Sequence, residues 1–129
     1  MTAGLHAVNT ANAMLNALRG VTFTTIAGTF IKLHIGDPGS AGTANPAAVT
    51  TRQSASFSAA AAGAIVTSNA PAFSMTASET ISHISVWSDV SAGNFHWSAA
   101  LTTPKAVVNT DTLTFTAGGV GISLAPIAA

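Results

Sequence analysis

Between Phe30 and Ile35 the side chains alternate, with Ile31, Leu33 and Ile35 on one face and Phe30, Lys32 and His34 on the other. A period of two predicts a half-buried strand whose isoleucine face points inward. Gly36-Asp37-Pro38-Gly39 then stops it, because Pro38 has no amide hydrogen for a ladder and the glycines accept backbone angles that other residues resist. Downstream, short alternating segments predict strands over 52–57, 64–68, 72–75, 80–87, 94–101, 106–108, 112–116 and 120–124. Turn-forming clusters such as Asn69–Pro71, Ser91–Asn94, Thr102–Pro104 and Asn109–Asp111 separate them. Strands at this spacing build a sandwich or barrel. The expected fold is mainly β, an antiparallel β-sandwich of jelly-roll or Greek-key type. Its expected core is Ile84, Val86, Phe95, Trp97, Ala99, Leu101, Leu113, Phe115, Val120, Ile122 and Leu124. Residues 58–63 read as a hairpin connection, and 40–51, with Asn45-Pro46, as the longest loop.

The first twenty residues follow another period. Leu5, Val8, Ala11, Leu15 and Leu18 recur at three and four residues, one stripe on a helix that ends at Gly20 with Arg19 in its last turn. Asn9, Asn12 and Asn16 are poor helix formers, so the helix needs packing to persist. The expected division is a docking arm over 1–20 and a sandwich over 21–129. The apolar stripe is then the candidate subunit-docking surface.

Composition sharpens this picture. A chain of 129 residues suits a single core. Charged residues make up only 6%, against about a quarter in average globular proteins. Four basic and four acidic residues give zero formal charge and no run of either sign, which leaves nucleic-acid binding without an electrostatic basis. No apolar run approaches the ~18 residues of a membrane helix, and residues 1–20 lack the pattern of an export signal. So weakly charged a surface is poorly protected against association, which predicts an assembly of three or more copies.

Candidate chemistry is sparse. His34, His83 and His96 have no metal-site spacing, and the absence of cysteine excludes thiolate ligands. No cofactor is expected. No Gly-x-Ser-x-Gly elbow is present, and Asp37 and Asp111 suit turn capping better than acid catalysis. The chain does not read as an enzyme. His34 and His96 are expected to face outward from their strands. Trp97 alternates with Phe95 and Leu101 and should be core, whereas Trp87 ends its strand beside Ser88-Asp89 and should expose its ring. Trp87 and His96 are therefore the candidate surface-recognition residues, with a host-surface glycan as the ligand they suit.

Four stretches carry a resemblance across most of the chain. They are Ala11–Gly20, Lys32-Leu-His-Ile-Gly-Asp-Pro-Gly39, Glu79-Thr-Ile-Ser-His-Ile-Ser-Val-Trp87 and Ala99-Ala-Leu-Thr-Thr-Pro-Lys105. Together they resemble small tail-fibre-like and minor tail proteins of tailed bacteriophages, especially those of actinobacteria. The resemblance implies a non-enzymatic virion component, mounted on the tail or alternatively decorating the capsid surface, whose partners are other virion proteins and copies of itself. It brings no catalytic residues.

Overall fold

A computed structural model describes residues 3–124. A helical segment, a wide turn over Ala7–Ala11 followed by α1 (Asn12–Leu18), precedes eight strands: β1 (Phe30–His34), β2 (Gln53–Ser54), β3 (Ala64–Val66), β4 (Ala72–Ser74), β5 (Glu79–Trp87), β6 (Phe95–Val107), β7 (Thr112–Thr114) and β8 (Gly121–Ser123). Strands β2, β1, β5 and β6 form one antiparallel sheet in that order. Ile31 lies opposite Val86, Leu33 opposite Ile84, and Val86 opposite Trp97. Residues opposite one another share a face, so these side chains make one apolar surface. Two ribbons, β3 with β8 and β4 with β7, bring Phe73, Met75, Leu113 and Val120 into the same buried cluster. The result is a mainly β, antiparallel fold with a single N-terminal helix, as the alternation predicts.

The second face of the sheet is where the structure departs from the sequence. His34, Ser85, Trp87 and His96 are all buried. Trp87 is 8% exposed and His96 6%, so neither presents a ring at the surface, and His34 is fully enclosed. Three separate covers account for this: the 36–47 loop reaches His34 through Ala44 O, Arg52 lies over the Trp87 ring, and Thr10 of the N-terminal segment closes on His96. Ile35 N–H donates to Asn45 O (2.9 Å) and Ala47 N–H to Leu33 O (3.1 Å), which ties the loop's return along the β1 edge. Gly42, at φ +72°, packs so closely on Phe95 that a Cβ there would lie 2.6 Å from the ring. Ile35, past the end of β1, and Leu124, past the end of β8, are exposed rather than core.

Three local expectations appear with their chemistry visible. Asp37 Oδ1 accepts from Gly39 N–H (2.8 Å) and Asp111 Oδ2 from Val108 N–H (2.9 Å), so both carboxylates hold turns. Ala61 and Ala64 exchange two 3.0 Å hydrogen bonds around Ala62-Gly63, both at positive φ, which is the two-residue hairpin geometry matched to strand twist. The expected break at Thr102–Pro104 is instead a bulge inside β6. Ile81 pairs with Lys105 and His83 with Ala100, so four residues of β6, Leu101–Pro104, stand against Ser82 alone. Pro104, lacking an N–H, fits such an irregularity on an edge strand.

Candidate interaction surfaces

The N-terminal segment begins as an extra piece of the sheet. Ser98 N–H donates to Gly4 O (2.9 Å), His6 N–H donates to His96 O (2.8 Å), and Leu5 sits opposite Trp97 on the outer edge of β6. The wide turn follows, closed by a π-type bond from Ala11 N–H to His6 O (3.0 Å) and capped by His6 Nδ1, which accepts from Asn9 N–H (3.1 Å). Its side chains return to the same edge. Thr10 Oγ1 donates to His96 O (2.7 Å) and Asn9 Nδ2 to Phe95 O (2.8 Å). Edge carbonyls that would otherwise need water are thus satisfied from within the chain.

Beyond Ala11 the segment leaves the sheet. Helix α1 contains no buried residue. Gly20 at φ +92° ends it: Gly20 N–H reaches Ala17 O (3.2 Å) and Val21 N–H reaches Asn16 O (3.0 Å), the paired bonds of a Schellman cap. The expected docking stripe is therefore split. Leu5 packs against the core and Ala11 is half-buried, whereas Val8, Leu15 and Leu18 are exposed, the last two at 63% and 85%. An apolar groove of about 330 Å³ adjoins the helical segment, walled by Met14, Phe23 and Ile26 on one side and by Phe57, Ile65 and Ile122 on the other.

On the covered face of the sheet, Trp87 belongs to a closed network. Trp87 Nε1–H donates to Ser85 Oγ (2.8 Å), which lies 2.7 Å from His34 Nε2, while His34 Nδ1 lies 2.8 Å from Ala44 O. A carbonyl only accepts, so His34 carries its proton on Nδ1 and receives the Ser85 hydroxyl at Nε2. Arg52 covers the indole at 4.1 Å and donates from Nη1 to Asp89 O (2.8 Å) and Ala92 O (2.6 Å), pinning the following turn. Burial holds His34 below the ordinary histidine range, against the Ala44 carbonyl, which favours the protonated ring.

His96 is bonded on one side only. Thr10 Oγ1 spends its hydrogen on His96 O, so His96 Nδ1, 3.2 Å away, must be the donor to that hydroxyl. Nε2 is then a buried acceptor without a partner. Burial, and secondarily the nearby His6, lower the pKa of this ring and keep it neutral. His96 stands in the wall of a groove of about 570 Å³, together with Asn9, Asn12, Asn16 and a run of threonines from the 22–25 segment. No sequence period announces this groove, because one wall is the irregular stretch after α1. Among the described residues, no three His, Asp or Glu side chains gather as a metal-ligand set.

A family model described as Podophage GP4 fiber I protein gp80 matches residues 6–123. No curated protein matches the chain.

Proposed function

Because the chain belongs to the podophage GP4 fiber I protein gp80 family, we propose that it is a non-enzymatic structural component of a phage tail fibre, assembled with copies of itself and with other virion proteins. The observation that carries this reading is the family match over nearly the whole chain. Exposed Leu15 and Leu18 beside an apolar groove, on a surface with few charges to oppose association, support the assembly. The proposed docking surface is the outer part of the helical segment, with Leu5 withdrawn into the sheet edge. The test is the position and number of copies on purified particles, by antibody-gold labelling and by quantifying the chain on a gel. Label at the tail with few copies is expected; label spread over the head in many copies overturns the tail assignment in favour of capsid decoration.

A second reading, recognition of a host-surface glycan during adsorption, is favoured by the uncharged hydrogen-bonding groove beside His96. Trp87 gives it no support, being covered by Arg52 and bonded to Ser85.

A further inference from the structure

The geometry points to a neutral-saccharide site in the groove between the helical segment, residues 21–27 and the turn after β5, with Asn12, Thr24 and His96 among its contacts. This inference rests on the glycan reading and gives it a place and a ligand class. Its first support is the asparagine series. Asn9, Asn12 and Asn16 fall at intervals of three and four, and all three line this groove. Asparagine is a weak helix former, so three in one short helical segment work against its stability. Asn9 Nδ2 already donates to Phe95 O and Asn16 Oδ1 accepts from Arg19 Nε, so the amide most open to a ligand is that of Asn12, between them in the same wall, which offers donors and an acceptor together. Leu15 and Leu18 are exposed and do not line this groove.

The second support is independent of the helix. His96 Nε2 is a buried acceptor with no partner, in a residue that forms part of the wall. An orphaned buried acceptor is rare and calls for a donor. A sugar hydroxyl is a donor of that kind.

Other ligand classes fit less well. The lining contains no Lys, Arg, Asp or Glu, so neither an anion nor a cation would be neutralised there. An added peptide strand needs an open strand edge, and a docked helix needs a hydrophobic trough. This groove is walled by a helix side and a non-strand segment carrying Asn, Thr and Ser, with Val8, Val21 and Ile26 between them. Alternating hydroxyl and hydrocarbon surface is the chemistry of an uncharged sugar.

Saturation-transfer NMR on the full chain tests this, with glucose, galactose, mannose, arabinose and N-acetylglucosamine as probes. Binding by at least one of them is expected. Asn12→Ala, which favours the helix, and Thr24→Val, which keeps the side-chain shape, should each weaken that binding about tenfold, equivalent to about 1.4 kcal/mol. Thr103→Ala, on the β6 bulge, should leave it unchanged, and circular dichroism checks that each variant is folded. Binding that neither groove substitution weakens overturns this site and leaves glycan recognition standing elsewhere on the chain. Binding of none of the five sugars overturns the site and the glycan reading together.

Discussion

At the scale of single residues, His34 shows how one buried hydroxyl orders a face that alternation alone assigns to solvent. Trp87 Nε1 can only donate, so Ser85 Oγ accepts from it and gives its own hydrogen to His34 Nε2, which is free to accept because the ring proton sits on Nδ1 and serves Ala44 O. Protonating Nε2 would break the order, because the Ser85 hydrogen would lose its acceptor. The pKa directions make this a prediction about acid stability. His34 and His96 both have folded pKa values below the ordinary 6.5, so above that value neither state gains a proton and they add no pH dependence. Below about 6.5 the unfolded chain binds protons that the folded chain refuses, and stability falls as the pH falls toward the depressed folded values. Urea midpoints measured from pH 7.5 to 5 should therefore decrease below about 6.5; a flat or rising midpoint would contradict neutral burial of these rings. Nothing in the residue pattern announces this. His34 sits where a half-buried strand puts its polar side chains, and what encloses it is the return of the next loop, which has no period of its own.

At the scale of elements, legibility followed periodicity. All the β-strands lie within or close to the predicted segments, because alternation and turn residues are local signals. The bulge at Leu101–Pro104 was visible as a break and not as a continued strand, since a proline reads the same in both. The 36–47 loop carries no period, and its role depends on Gly42 meeting Phe95 across many intervening residues. Two glycines separate backbone strain from this contact. Gly118 has φ +82° with no atom within 4 Å of a built Cβ, whereas Gly42 has φ +72° and the Phe95 ring in the way. Gly118→Ala should cost about 1–2 kcal/mol from the left-handed backbone alone. Gly42→Ala should cost more, with about 1–3 kcal/mol added for forcing volume into a packed site. Denaturation midpoints of the two variants decide it; equal losses would mean that the loop does not hold the Phe95 side of the sheet.

For the molecule as a whole, the missing charge and the exposed leucines converge. The sequence showed the deficit and the apolar stripe, but it could not show that the stripe divides, Leu5 turning into the sheet edge while Val8, Leu15 and Leu18 stay exposed. That depends on Gly4–Thr10 pairing with a strand some ninety residues away. The division makes the assembly hypothesis separable from folding. Leu5 supports the core, so altering it would confuse the two, whereas Leu15 and Leu18 are exposed and α1 has no fully buried residue. Leu15→Asp combined with Leu18→Asp should shift the thermal midpoint little at dilutions where the chain is a monomer, because surface changes away from packed sites usually stay within about 0.5 kcal/mol. The same pair placed in an apolar interface would bury unpaired carboxylates, a cost several times larger. Light scattering at about micromolar concentration, where association requires roughly 8 kcal/mol of binding free energy, should show an oligomer for the unaltered chain and a monomer for the double variant. A monomeric unaltered chain would remove self-association, and an oligomer that survives both substitutions would place the contact somewhere other than α1.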